Sequence, residues 1–276
     1  MKKVNPSFLL LSSAVFWVAF GALVAWGADP FSEGVRPTGP MPPEEEQKGF
    51  HVPPDFEVTL FVAEPRIAKP MNMAFDERGR LWVTTTLEYP FPAPLDKKGR
   101  DSIVVLEDKD RDGKAEKVTT FVDGLNIPTG LYPYKNGVIA WSIPNIWFFE
   151  DADGDGKADK RTVLYGPLGW ERDTHGMSSS FRRGLDGWLY ITHGFNNDTV
   201  ARGKDGTEIR MNSGNIYRVR VDGASVEQYS WGQVNPFGLA FDPLGNLFSA
   251  DCHSAPIYQV LRGAYYPSFG KAHDGL

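Results

Sequence analysis

A single cysteine, Cys252, stands in 276 residues. One thiol excludes an internal disulfide framework, and it excludes a CxxCH haem-attachment motif within this chain. No lipobox cysteine is present. Lys/Arg-rich runs are missing too, and the formal charge is -6. The electrostatic footprint of a nucleic-acid binder is therefore lacking. Beyond the N-terminus no long stretch keeps an apolar period of 3.6 residues, so helices are expected to be minor.

What is abundant points the other way. Gly (29), Pro (21) and Trp (8) are frequent in a chain that is 41% apolar and 13% aromatic. That composition favours many short strands joined by turns, in one sizeable core or in one domain built of repeats. The N-terminus carries Lys2 and Lys3, then the apolar run Phe8–Ala25, broken only by Ser12 and Ser13. Ala25 and Gly27 are the small residues before a cut ahead of Ala28, so residues 1–27 read as a signal peptide. An uncleaved anchor is the alternative, and only then would the protein hold to a membrane. Either way the rest is expected to be exported to the periplasm or cell surface. Residues 28–48 are rich in Pro and Glu without periodicity and read as an extended, disordered linker.

From Gly49 the sequence echoes itself. "MAFDERGRLW", "LYPYKNGVIA", "FRRGLDGWLY" and "LAFDPLGNLF" each place a Gly six residues after the first: Gly79, Gly137, Gly187 and Gly245. Each unit reads as strand, tight turn, strand. With further short strands between them, the units recur at propeller-blade length, ~50 residues. The expected fold is an all-β propeller of four-stranded blades, about four of them, over residues 49–276. The closing "GKAHDGL" is a loop sequence, so the domain is expected to be C-terminally incomplete, with a whole four-bladed propeller as the alternative.

Two acidic loops occupy one phase of consecutive blades. Asp151, Asp153, Asp155 and Asp159 stand at positions 1, 3, 5 and 9 of "DADGDGKAD". Asp108, Asp110, Asp112 and Glu116 repeat the pattern in "DKDRDGKAE". Alternate carboxylates around a Gly suit a hard cation such as calcium. Position 12 carries Thr119 or Thr162 instead of the Glu of an EF-hand, and the flanks are strands. A plain Asx/Gly turn is the alternative. In either case the role is structural.

"RDTHGMSSSFRRGLDGWLYITHGFNND" holds the richest reaction chemistry. His175 precedes a blade hairpin and His193 follows it. A His at a channel mouth can take a proton from a hydroxyl, and it can equally be a structural or surface residue. Arg182 and Arg183 read as an anion contact or a solvated strand edge. Cys252 and His253 are too few for a metal site and read as mouth packing.

"HGMSSSFRRGLDGWLYITHG", "NPFGLAFDPLGNLFSADCH" and "RGAYYPSFG" closely resemble the "membrane-bound dehydrogenase" propeller domain of planctomycetes and verrucomicrobia. That family is related to the soluble quinoprotein glucose/sorbosone dehydrogenases. The likeness runs from Gly49 to Leu276 and implies a six-bladed propeller, of which this chain would be a part. It implies oxidation of a sugar or polyol alcohol with pyrroloquinoline quinone (PQQ), with electrons passed to a haem c domain or a cytochrome. His175, just ahead of "GLDGWLY", matches the base. Arg182, His193 and Asn235 are the quinone-contacting candidates. The sugar dehydrogenases carry Arg before Asn-Pro, where this chain has Val234, and a "G-D" pair where this chain has Gly194-Phe195. A non-catalytic, calcium-stabilised propeller that binds glycan or a partner domain is the competing expectation. A lactonase-like metal site is disfavoured, since only Asn235, Asp251 and the histidines offer ligands.

Overall fold

The computed structural model describes residues 39–254 and 256–267. The expected signal peptide or anchor, and the linker up to residue 38, lie outside them. The described residues from Pro43 onward form one compact unit. Within the expected linker, Pro43–Gln47 forms a short helix, α1, instead of extended chain. Pro in the first helical position and three Glu in the first turn, at the positive end of the helix dipole, favour it.

Strands fill the rest. The first blade is the antiparallel sheet β1 (Lys69–Phe75), β2 (Leu81–Thr86), β3 (Asp101–Glu107) and β4 (Lys117–Leu125), in sequence order. The second repeats that order with β5 (Leu131–Tyr134), β6 (Gly137–Ser142), β7 (Asn145–Glu150) and β8 (Lys160–Tyr165). The third uses β9 (Ser179–Arg183), β10 (Leu189–His193), β13 (Asn215–Val219) and β14 (Val226–Gly232). A hairpin of β11 (Thr199–Arg202) and β12 (Glu208–Met211) is inserted between its second and third strands. The fourth contains β15 (Pro236–Phe241), β16 (Leu247–Asp251) and β17 (Tyr258–Val260). The chain then returns as β18 (Tyr265–Tyr266), parallel to the outer strand of the third blade. The first strands β1, β5, β9 and β15 pack side by side in that order. This is the propeller arrangement of four blades expected from the repeats.

Three of the four repeated glycines serve the turn. Gly79, Gly187 and Gly245 have φ of 77°, 80° and 85°, where a side chain would be strained. Gly137 differs: it opens β6, and a Cβ there would sit 2.0 Å from the Phe149 carbonyl oxygen. Lys135 takes the positive φ of that turn instead.

The core is a series of layers between blades. Trp82, Ile103, Phe121, Leu131 and Phe149 fill the first gap, Trp141, Tyr165, Phe181, Leu189 and Tyr217 the second, and Tyr190, Ile216, Leu239 and Leu247 the third. A fourth layer covers the outer side of blade one. There Phe61 and Val62 pack on Val83, Leu106 and Ala115. Ala115 N–H donates to the Phe61 carbonyl, as Ala158 N–H of blade two donates to the Phe121 carbonyl of β4. The segment "EVTLFV" (Glu57–Val62) thus stands to blade one as "KVTTFV" (Lys117–Val122) of β4 stands to blade two.

Candidate functional site

In an antiparallel blade the second strand ends where the first begins. Thr86, Ser142, His193 and Asp251 therefore mark one end of the sheets, the mouth, together with the loops that lead into β5, β9 and β15. Buried polar groups lock these loops in every blade. Asp101 accepts Thr86 Oγ1–H and the N–H groups of Leu87, Glu88 and Ile127. Ser142 Oγ accepts Asn126 N–H. Asp251 accepts the N–H groups of Val234 and Asn235.

His193 is the corresponding lock of blade three, not a ligand contact. It is fully buried, with Nδ1 2.8 Å from the Ser213 carbonyl and Nε2 2.7 Å from Thr199 Oγ1. Both ring nitrogens are engaged, so no lone pair or proton is left for a cofactor.

His175 has the opposite setting. Its side chain is 59% exposed, in the loop ahead of β9. Nδ1 lies 2.9 Å from Asp173 Oδ1, which also accepts the His175 backbone N–H at 2.8 Å. A carboxylate only accepts, so the neutral imidazole carries its proton on Nδ1 and its lone pair on Nε2. The Tyr89 ring meets the imidazole edge-on, with centroids 5.3 Å apart. Burial pushes the Tyr89 phenol up, and the nearby Asp173 carboxylate and Cys252 thiol add to the effect. Thr174 Oγ1 donates to the Pro90 carbonyl at 2.9 Å and ties the two loops together.

One residue of this site was not expected. Asn197, 1% exposed, accepts the N–H groups of Arg172 and Asp173 at its Oδ1 and donates Nδ2–H to the Asp173 carbonyl at 2.7 Å. It holds the turn on which Asp173 meets His175. Its only signal in the sequence is an Asn pair after "THGF", which does not distinguish a clamp from a turn.

Asn235 is buried at the mouth. Its carbonyl accepts the Cys252 N–H at 3.4 Å and faces Sγ at 3.5 Å. Its side-chain Oδ1 meets no donor and presses on Gly194, where a Cβ would lie 2.0 Å away. Val234 is buried, aliphatic and without charge. Arg182 stands on innermost strand β9 and, among the described residues, donates Nη1–H to the Phe181 carbonyl alone. Burial lowers its pKa.

The acidic loops lie at the far end of the blades, between β3 and β4 and between β7 and β8. Carboxylate oxygens of Asp108, Asp110, Asp112 and Glu116 lie within 4.8 Å of one another, as do those of Asp151, Asp153 and Asp159. Asp155 stands outside the second group and accepts Lys157 N–H at 2.8 Å. Among the described residues no His or Cys joins such a group, Cys252 and His253 included. A cavity of about 260 Å³ at the inserted hairpin is lined by Gly166–Gly169, Glu171, Asp198, Val200 and Arg202, none of them an expected site residue.

Four blades with a polar mouth define a β-propeller that carries an imidazole–carboxylate pair in the loop before its third innermost strand. The chain belongs to the family described as a domain of unknown function, DUF7133, whose profile matches residues 42–273. No curated protein matches it. Among solved structures it is similar to a protein from Thermus thermophilus described as an oxidoreductase (glucose dehydrogenase). The TM-score is 0.49 at 19% identity, over 75% of this chain and 67% of that one. It is also similar to the holo PQQ domain of pyranose dehydrogenase from Coprinopsis cinerea (0.46, 17%, 74% and 47%). A third is the calcium-binding protein regucalcin from Agrobacterium tumefaciens (0.38, 15%, 65% and 52%). The chain spans about half the length of the latter two.

Proposed function

We propose that this chain is the base-bearing part of an exported, quinoprotein-like dehydrogenase that oxidises a sugar or polyol alcohol. The observation that carries the reading is the Asp173–His175 pair, exposed at the mouth with Nε2 free. Nε2 accepts the proton of the substrate hydroxyl. Asp173 holds the tautomer that makes this possible and stabilises the imidazolium that results. Asn197 keeps Asp173 in place.

The residues fit an anionic quinone in part. Arg182 is a largely desolvated cation with no carboxylate partner among the described residues, and although it stands on β9 toward the end away from the mouth, it is the cation on offer to a carboxylate of PQQ. Asn235 would add its amide at the mouth, whereas His193 would not take part. When bound, the quinone supplies the two-electron acceptor for the carbinol hydride. Val234 contributes none of the charge stabilisation of the Arg it replaces. Electrons would leave to a haem c domain or cytochrome, since one cysteine cannot form the two-cysteine haem c attachment within these residues. Calcium at the outer hairpins is the structural part of the proposal, and the clustered carboxylates are a hard-oxygen donor set suited to it. The basic and apolar N-terminal run, with its small residues before Ala28, supports export.

The test uses the natural full-length protein, reconstituted with PQQ and calcium and offered aldoses and polyols with a dye acceptor. His175→Asn should cut turnover ~10²–10⁴-fold. In ¹⁵N spectra the wild-type imidazole should show a protonated Nδ1, and Asp173→Asn should mix the tautomers. A wild type that neither binds the quinone nor reduces the dye gives the site to the competing reading, a propeller that binds glycan or a partner domain.

A further inference from the structure

We propose that Arg183 and Arg220 form a binding site for an oxyanion at the end of blade three opposite the mouth. The site is built over Gly187, the turn residue of the β9–β10 hairpin, whose φ is 80°. A Cβ there would lie 3.5 Å from Arg183 Nη2 and 3.7 Å from Arg220 Nη1, with no other atom within 4 Å beyond the chain neighbours. The two guanidinium nitrogens therefore approach to about 7 Å or less, across open space that a side chain would have filled. Charge-assisted N–H···O bonds run to about 2.8 Å. Two such bonds, plus the oxygen-to-oxygen width of a sulfate, phosphate or carboxylate, span that gap.

The charges are not spent elsewhere. Neither arginine pairs with a carboxylate among the described residues, although the chain carries 35 acidic residues against 29 basic ones. The acids nearby bond elsewhere and none forms an ion pair with either arginine. Asp186 accepts Arg218 Nη1 at 2.7 Å, Tyr190 Oη–H at 2.9 Å and Trp188 N–H at 3.2 Å. Glu227 is held between Arg218 and Arg262. Asp222 accepts Ala224 N–H. Arg220 is also fixed before any ligand arrives, because its guanidinium lies 4.0 Å from the Trp188 ring centroid. A stacked, planar fork loses little freedom on binding and favours two-oxygen recognition. Two like charges within about 7 Å of each other over a bare glycine repel each other until an anion joins them.

The shared chemistry is an oxyanion, supplied either as a free ion or as the acidic group of a saccharide. Sodium sulfate and trigalacturonate are titrated into the full chain against sodium chloride at matched ionic strength. Calorimetry and the Gly187 amide resonance are followed. Sulfate should bind in the millimolar range and shift that amide, while chloride should not. Arg183→Gln and Arg220→Gln should each weaken sulfate at least tenfold. Tighter binding of trigalacturonate than of sulfate assigns the source to an acidic saccharide, and the reverse order assigns it to a free anion. The amide shift locates the site without any variant. If it is absent with both probes, or if binding survives the double substitution, the proposal is overturned. The dehydrogenase reading stands or falls separately at His175.

Discussion

At the residue scale, a few acids decide how this sequence folds, and Asp76 shows how. Its Oδ1 accepts the N–H groups of Arg78 and Arg80, and its Oδ2 accepts Arg80 Nε–H at 2.7 Å and Trp82 Nε1–H at 2.9 Å. One carboxylate thus closes the first hairpin turn and anchors the Trp that packs between blades one and two. Burial by itself would raise its pKa, but the bonds from Trp82 and Arg80 outweigh that and hold it below its ordinary 3.8. A depressed pKa contributes stability that is present above the unfolded value and lost as pH falls through the folded one. Asp76→Asn should therefore cost about 1–3 kcal/mol at pH 7. The difference between variant and wild type should shrink as the pH drops below 3.8. Urea melts at neutral and acid pH measure it, and a pH-independent difference would show that the bonds need no charge. Asp242 repeats the device in blade four, accepting Leu244 and Asn246 N–H.

At the element scale, the two acidic hairpins differ in one usable way. Asp151 belongs to a close carboxylate group and Asp155 does not. If the loop holds calcium, adding the ion should raise the melting temperature and a chelator should lower it. Asp151→Asn should remove most of that response, and Asp155→Asn should leave most of it. Melting curves insensitive to chelator would make both loops plain Asx turns. The hairpins were legible in the sequence because a turn Gly and an alternating strand pattern are local signals, as at Gly79 and Gly245. The acidic loops were legible for the same reason. His193 was misjudged because its partners, Ser213 and Thr199, are brought to it by the inserted hairpin, which no local pattern announces. Asn197 escaped for a similar cause: its bonds reach back more than twenty residues. The match of "EVTLFV" to "KVTTFV" was visible in the letters, yet it means nothing until Phe61 and Phe121 are seen to accept the same bond.

At the scale of the whole molecule, stability is set by which blades have neighbours on both faces. Among the described residues, blades two and three have a blade on each face. Their strands β6, β10 and β13 are buried at every residue. Blade one is covered on its outer side mainly by the Phe61 segment, and β1 leaves Met73 and Phe75 more than half exposed. In blade four, only two residues of β15 and one of β17 are buried, and Ile257 and Leu261 lie open beside β17. Local opening is governed by the apolar surface that must be exposed, so it should be costliest in the middle of the array. Native-state hydrogen exchange on this chain should find the slowest amides in β6, β10 and β13, with β1, β15 and β17 exchanging well before them. The loop that carries Asp173 and His175 precedes β9, which pairs with β10. It should be held by the slow group and be better protected than its exposure suggests. Uniform protection across all four sheets would mean that the end blades are braced as firmly as the central ones. Exchange that is fastest in β10 would remove the rigid support that a positioned base requires.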